Sequence, residues 1–258
     1  MQRKNSEKLF EDYIAIIRRL RKECPWDREQ THQSIRHSLI EEAYEVVESI
    51  DDNDLPALKG ELGDLLLHVA MHSVMAEEEK EFTMDEVLKA SMEKLIRRHP
   101  HVFGNTKVSG AQEVKANWEK LKMAEGRTSM LEGVPKELPA LLRAYRLQEK
   151  ASKVGFDWKK KSDVWKKVKE EIQELQSAEK SENKAEIENE LGDLLFALVN
   201  YSRFLHQNPE IALRKSVDKF TKRFHGIERE LKTQGKKIEH ATLEEMDEIW
   251  NKHKKQGS

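Results

Sequence analysis

Several features that mark common protein classes are scarce or missing in this 258-residue chain. It has a single cysteine, Cys24, which excludes an internal disulfide and favours a reducing cytosol. No apolar run approaches the roughly 20 residues that a helix needs to span a bilayer. The first twenty residues carry many charges, so they do not read as a signal peptide. We therefore expect a cytoplasmic protein that does not enter a membrane.

Common nucleotide and nucleic-acid signatures are missing too. The net charge is only −2, which argues against stable nucleic-acid binding. The sequence has no P-loop, no G-x-G-x-x-G, no paired CxxC and no recognisable nucleophile triad. The lysines of the segment Trp158–Lys169 are interpreted as a solvated helix start.

Glycine and proline are also rare, at 11 and 6 residues, whereas charged residues make up 36% of the chain. This balance, with abundant Glu, Lys, Leu and Ala, favours helices joined by short loops over sheets. No convincing series of alternating strand patterns is visible. The predicted fold class is all-α.

A pattern of acids, E-E-x2-E-x15-E-x2-D, occurs twice. The members of the two copies are Glu41, Glu42, Glu45, Glu61 and Asp64, and then Glu170, Glu171, Glu174, Glu190 and Asp193. The likeness continues downstream and gives the pairs Lys94 and Lys219, Arg98 and Arg223, Trp118 and Trp250, and Lys122 and Lys254. A repeat this long indicates two tandem helical-bundle domains, residues 1–124 and 140–258, joined by a linker over 125–139.

Local signals place helices within each copy. The first acidic helix is predicted over Thr31–Ile50, and the second follows after a short turn. Thr83 and Glu86 have the spacing of a capping box for a third helix, which Pro100 ends. Asn208 before a proline marks the corresponding helix start in the second copy.

The acids have the spacing of a cation site. Residues three or four apart share a helix face, so Glu42 with Glu45 and Glu61 with Asp64 can converge from two neighbouring helices. A set of carboxylates suits Mg²⁺, with Mn²⁺ as a substitute. In one copy alone, these acids would be interpreted as the solvent-exposed face of a charged helix. The repetition of the same spacing in the second copy favours a metal site instead. His68 follows Asp64 by one turn; its counterpart is alanine, so no shared metal role is predicted for it.

Basic residues follow the acids at helical spacing. Lys94 and Arg98 are four apart, as are Lys219 and Arg223, and such a pair is suited to holding phosphate. For Trp118 and Trp250 two interpretations stay open, stacking on a base or packing in the core.

Six segments carry a family resemblance: "CPWDREQTHQSI", "EEAYEVVE", "GELGDLLLHVAMHS", "KLIRRHPHVFG" and, in the second half, "VGFDW" and "ELGDLLFALVN". They resemble the MazG family of nucleoside triphosphate pyrophosphohydrolases, within the all-α NTP pyrophosphohydrolase superfamily. The resemblance covers nearly the whole chain. It implies cleavage of NTPs or dNTPs to monophosphates and pyrophosphate, dependence on Mg²⁺, homodimers and housekeeping removal of unwanted nucleotides.

The resemblance also implies roles for particular residues. The Mg²⁺ ligands would be Glu171, Glu174, Glu190 and Asp193 in the second copy, and Glu42, Glu45, Glu61 and Asp64 in the first. The leading acids Glu41 and Glu170 are candidates for water activation or a further metal. Nucleotide contacts are expected from Lys219, Arg223, Trp250 and Lys254, with Lys94 and Arg98 as the first-copy counterparts.

The two copies are not expected to work equally. "HPHVF" is absent from the second half, and the terminal segment Gly226–Lys255 could close over a nucleotide as a lid. We therefore expect most activity in the second domain. Two alternatives remain: a narrower enzyme acting on dUTP or phosphoribosyl-ATP, and a helical metal- or partner-binding module without activity.

Overall fold

The computed structural model describes residues 2–111, 113–114, 117–118, 121, 125 and 129–255. Every regular element among them is a helix, so the all-α prediction is confirmed. None of the described helices is long and apolar enough to cross a membrane. The chain divides into two compact units, Met1–Val114 and Lys115–Ser258. The predicted domain limits at 124 and 140 stay a prediction, and Lys122 lies outside the described residues.

The first unit contains six helices whose bounds lie within its described residues. They are α1 (Gln2–Glu23), α2 (Pro25–Glu29), α3 (Arg36–Asp51), α4 (Leu55–Glu78), α5 (Met84–Arg98) and α6 (Pro100–Phe103). The long helix α4 packs against α1, α3 and α5. Its buried face, with Met71 and Val74, meets Ile14 and Ile17 of α1 in the core. This packing places the acid-bearing helices α3 and α4 side by side.

The second unit is built in a similar way. Its helices are α7 (Ala140–Ser152), α8 (Lys161–Ser181), α9 (Lys184–Phe204), α10 (Pro209–Thr233) and α11 (Leu243–Lys255), with a short 3-10 turn over Ile238–His240. Helix α9 packs against α8 and α7. Helices α10 and α11 share a separate small core of Ile227, Leu231 and Ile249.

Part of the predicted linker packs on the second unit. The side chain of Lys150, on α7, is 3% exposed. Its ammonium donates hydrogen bonds to the carbonyl oxygens of Met130, at 3.3 Å, and Glu132, at 2.9 Å. A buried ammonium needs such partners, so these bonds hold the segment before α7 against that helix.

The first acidic helix begins later than the sequence indicated. Its predicted start at Thr31 is wrong, because α3 begins at Arg36. The Thr31 amide donates to the Ser34 hydroxyl at 2.9 Å, and the Ser34 amide donates to the Thr31 hydroxyl at 3.1 Å. Short hydroxyl side chains of this kind compete with helical backbone hydrogen bonds, and here they form a closed turn.

The other helix boundaries follow the sequence signals. Thr83 and Glu86 form the predicted capping box of α5, and the Asn208 side chain caps α10 by accepting two backbone hydrogen bonds. Helix α5 ends at Arg98, two residues before Pro100. Pro100 then opens the four-residue helix α6, which the sequence did not predict.

Candidate metal and substrate sites

Each unit gathers three carboxylates between two neighbouring helices. In the first unit, Glu42 and Glu45 of α3 meet Glu61 of α4, with one oxygen of each lying within 4.8 Å of the others. In the second unit the corresponding residues of α8 and α9 form the same kind of group: Glu171, Glu174 and Glu190. The structure therefore brings together three of the four predicted ligands in each copy.

The fourth predicted ligand of each copy lies outside these groups. Asp64 and Asp193 are exposed on α4 and α9. The charge of Asp64 still helps to raise the pKa of Glu42, and Asp193 shares a cavity wall with Glu171. Asp64 is therefore close enough for its charge to act on a glutamate of the first cluster.

The first cluster has an unfavourable concentration of negative charge. Burial raises the pKa of Glu42, and the charges of Glu45, Asp64 and Glu41 raise it further. Burial also raises the pKa of Glu61, and Glu45 adds to that effect. Carboxylates that repel each other in this way take up protons or a cation, and oxygen ligands alone suit a hard divalent ion.

A lysine neutralises part of the second cluster. The Lys167 ammonium lies 2.6 Å from the carboxylate of Glu170 and 2.7 Å from that of Glu171. These hydrogen bonds, first to Glu170 and then to Glu171, raise the pKa of Lys167. The pKa of Glu174 is raised, first by burial and then by its hydrogen bond with Glu171. The interpretation of this lysine run as only a solvated helix start is therefore wrong for Lys167.

The predicted phosphate clamp of the second unit lies on α10. Lys219 is exposed, and Arg223 is half-buried with its guanidinium carbon 5.4 Å from the ring centroid of Trp250. Trp250 packs against the small core between α10 and α11, while Lys254 is exposed one turn later. Core packing of Trp250 is thus observed, and its ring also stacks with a residue of the predicted clamp.

The first-unit counterparts are placed in a similar way. Lys94 is exposed and Arg98 is half-buried, both on α5. Trp118 is half-buried. Glu41 is exposed one residue before Glu42, as Glu170 is before Glu171. The role of each of these residues stays a prediction.

A cavity of about 620 Å³ adjoins the second carboxylate cluster. Its charged lining residues include Lys167, Glu171 and Asp193, and the remaining lining is mainly apolar. Gln148 of α7 and Asn200 of α9 also line it. The sequence did not predict this cavity, because its lining residues come from separate helices and no single segment shows that they meet.

The corresponding part of the first unit is rich in histidine. The Nδ1 atoms of His32 and His72 lie 2.7 Å apart, and their rings are stacked. Burial lowers the pKa of His68, and it lowers that of His72 as well. His68 takes the place that Ala197 has in the second unit, where it lines the cavity.

A duplicated helical chain with a carboxylate cluster in each copy has the features of the all-α nucleotide pyrophosphohydrolases. The MazG nucleotide pyrophosphohydrolase domain matches residues 30–103 and 160–229. These two matches contain both sets of acids.

Full-length relatives agree with that match. The chain is 43% identical to the nucleoside triphosphate pyrophosphohydrolase/pyrophosphatase MazG of Thermotoga maritima, over 95% of this chain and 96% of that protein. It is 41% identical to the nucleoside triphosphate pyrophosphohydrolase of Escherichia coli (strain K12), over 94% and 96%. The uncharacterized protein YabN of Bacillus subtilis is 47% identical over 95% of this chain and 51% of its own length. The chain belongs to the MazG nucleotide pyrophosphohydrolase family.

Proposed function

We propose that this protein hydrolyses nucleoside and deoxynucleoside triphosphates to monophosphates and pyrophosphate, and so removes unwanted nucleotides. The observation that carries this proposal is the second carboxylate cluster, which adjoins a cavity large enough for a ligand. The names of the Thermotoga and Escherichia relatives support the same reaction. A cytoplasmic location rests on the single cysteine.

Mg²⁺, with Mn²⁺ as a substitute, is the proposed cofactor. Glu171, Glu174 and Glu190 would hold it together with Asp193, and the first-unit equivalents are Glu42, Glu45, Glu61 and Asp64. The clustered oxygens and the raised carboxyl pKa values fit a hard cation. When bound, the cation supplies charge neutralisation at phosphate oxygens.

The remaining roles fall to side chains around the cluster. Glu170, held by Lys167, is proposed to orient a water molecule and take its proton as the water oxygen bonds to the α-phosphorus and the bond from that phosphorus to the α,β-bridging oxygen breaks. Glu41 is the first-unit equivalent. Lys219 and Arg223 hold the leaving pyrophosphate, because their positive charges match its oxygens. Trp250 fixes Arg223 through its ring, and Lys254 contributes a further charge from α11.

The second unit is proposed to carry most of the activity. One carboxylate of its cluster, that of Glu171, lines the cavity and is ion-paired with Lys167. The first unit has Ser38 and His68 at the positions of Lys167 and Ala197. The first unit has its own basic pair, Lys94 and Arg98. We assign this unit mainly to dimerisation or regulation.

Assembly as a homodimer is proposed from an apolar stripe that both units leave exposed. On α4 the stripe consists of Leu62, Leu66 and Val69, and on α9 the same repeat positions are Leu191, Leu195 and Leu198. These six side chains are each at least 40% exposed. A one-sided apolar stripe on a helix is typically covered by another helix. Light scattering at micromolar concentration should give twice the chain mass; a monomer mass would contradict this assembly.

Pyrophosphate release from a mixture of dNTPs, with and without Mg²⁺, tests the proposed reaction. We expect release only with Mg²⁺ or Mn²⁺, and the double variant Glu42→Gln with Glu171→Gln should abolish it. Helicity by circular dichroism should remain close to that of the parent protein, because both changes are nearly isosteric. Activity retained by the double variant would contradict the assignment of these acids as metal ligands. Hydrolysis of dUTP alone, in a panel of different nucleoside triphosphates, would instead indicate an enzyme with a narrower substrate range.

A further inference from the structure

One glycine of the second unit lies in a helix whose backbone does not require it. Gly226 is buried in the interior of α10, and its φ is not positive. Glycine forms helices less well than alanine, so an interior glycine weakens the helix that contains it. The remaining reason for a glycine at this position is the close approach of another group.

The imidazole ring of His253, on α11, occupies the space that a side chain at position 226 would need. A Cβ atom at Gly226 would lie 2.8 Å from Nε2 of this ring and 2.9 Å from its Cδ2. A Cβ atom at the helical glycines Gly60, Gly63 or Gly192 would meet no atom of another element within 4 Å. The close approach is therefore particular to the pairing of α10 with α11.

Other contacts hold α11 on α10 around this ring. The Lys252 ammonium donates to the Glu230 carboxylate at 2.8 Å, and Ile249 packs in the small core that the two helices share. His253 Nε2 also lies 3.8 Å from a carboxylate oxygen of Glu230, and the His253 side chain is 23% exposed. Because the ring is largely enclosed, a methyl group at position 226 displaces the ring and the part of α11 that carries it.

Two residues with proposed nucleotide contacts lie next to His253. Trp250 precedes it by one helical turn, and Lys254 follows it directly. The Trp250 ring centroid lies 5.4 Å from the guanidinium carbon of Arg223 and 5.4 Å from the ring centroid of Phe220, both on α10. A displacement of α11 at His253 therefore changes the position of Trp250 against Arg223 and the position of Lys254.

The first unit lacks both members of this contact. In the repeat, Gly226 corresponds to His101, and His253 corresponds to Leu121. Neither residue pair of the first unit can form a ring-on-glycine contact, because position 101 has a large side chain. The contact accompanies the unit to which we assign hydrolysis.

We propose that Gly226 is a positioning residue, which leaves room for the His253 ring so that α11 can place Trp250 and Lys254 beside the nucleotide. The proposal rests on the proposed function, because these two side chains matter only if they contact a nucleotide. A methyl group at position 226 then weakens nucleotide binding only while His253 is present.

A double-mutant cycle on the full chain tests this dependence. Gly226→Ala, His253→Ala and the double variant are titrated by calorimetry with α,β-methylene-dATP and Mg²⁺. Gly226→Ala should weaken binding about tenfold, whereas His253→Ala and the double variant should stay within about threefold of the wild-type protein. The small core and the Lys252–Glu230 pair still hold α11 when the ring is absent.

Hydrogen exchange without nucleotide gives a second measurement that does not depend on the ligand. Gly226→Ala should speed exchange of the α11 amides and leave those of α8 and α9 unchanged, and the double variant should restore slow exchange. Gly60→Ala is the matched control, because its methyl group meets no other element. It should change neither the affinity nor the exchange of α11.

Unchanged affinity in Gly226→Ala overturns the inference, and so does an equal loss in Gly226→Ala and the double variant. Should Gly226→Ala not fold, the double variant still decides: restored folding and affinity support the contact, and continued failure overturns it. Pyrophosphate release by the wild-type protein is measured separately. Its absence would refute the proposed hydrolysis, whereas normal release with no dependence on His253 would overturn only the role of Gly226.

Discussion

The two carboxylate clusters have the same acids at the same spacing, but the residues one or two turns away differ. Lys167, Ala197 and Asn200 in the second unit correspond to Ser38, His68 and Met71 in the first. Lys167 neutralises two acids and Asn200 lines a cavity, whereas Met71 fills a core. We infer that the acids provide the cation site in both units and that the neighbouring positions set how each unit receives a nucleotide.

Removing one lysine from each predicted clamp should expose the largest difference between the units. Lys219→Met should lower kcat/KM for dNTP hydrolysis about 30-fold, because one charge-assisted phosphate contact is lost. Lys94→Met, the matched change on α5, should alter it less than about twofold. Steady-state pyrophosphate assays on the two purified variants give both values. Equal losses would mean that both units hold substrate during turnover.

Exchanging the residue beside the acids should change cation affinity in a predictable direction. Lys167→Ser copies the first unit and removes a positive charge that competes with the cation for Glu171. In a Glu42→Gln background, we expect Mn²⁺ to bind about fivefold more tightly without nucleotide. Titration calorimetry measures this affinity. Weaker binding in Lys167→Ser would show that the lysine supports the cation site instead of opposing it.

A smaller difference between the clusters should appear in the thermal stability of the metal-free protein when one glutamate of each cluster is replaced. Because the pKa of Glu42 is raised in the folded state, its protonated form stabilises the fold. That contribution is complete below the unfolded pKa and is lost as pH rises through the folded value. Glu42→Gln should therefore raise Tm by about 2 °C at pH 8 in a chelator, and by almost nothing at pH 4.

Glu171→Gln is the matched change, and it should lower Tm at pH 8. Glu171 is buried and ion-paired with Lys167, so its loss leaves an ammonium with one partner fewer. Scanning calorimetry at the two pH values measures both variants. A rise in Tm for Glu171→Gln would contradict the neutralising role of Lys167.

The fold class and the acid clusters could be predicted because both depend on local periodicity. Residues three apart on a helix must share a face, and a duplicated spacing cannot easily arise from surface charge. The helix start at Arg36 was missed, because the hydroxyl pair of Thr31 and Ser34 competes with a helical pattern that continues through it.

Features that depend on three or more segments could not be predicted. The cavity depends on α7, α8 and α9 meeting, and neither Gln148 nor Asn200 has a sequence pattern of its own. Lys167 stands within a run of lysines, and only the fold distinguishes it from its solvated neighbours. Trp250 packs in a core, which was one of its two sequence interpretations, and its ring also contacts Arg223, which no local pattern indicated; stacking on a base stays a prediction.

The most direct test of the difference between the units is a pair of equivalent variants, Glu45→Ala and Glu174→Ala. Each removes one glutamate from one cluster, and both are assayed for pyrophosphate release on the same dNTP mixture with Mg²⁺. We predict that Glu174→Ala loses more than about 90% of the activity, a barrier increase of about 1.4 kcal/mol or more, and that Glu45→Ala keeps most of it. A greater loss in Glu45→Ala would contradict the assignment of hydrolysis to the second unit.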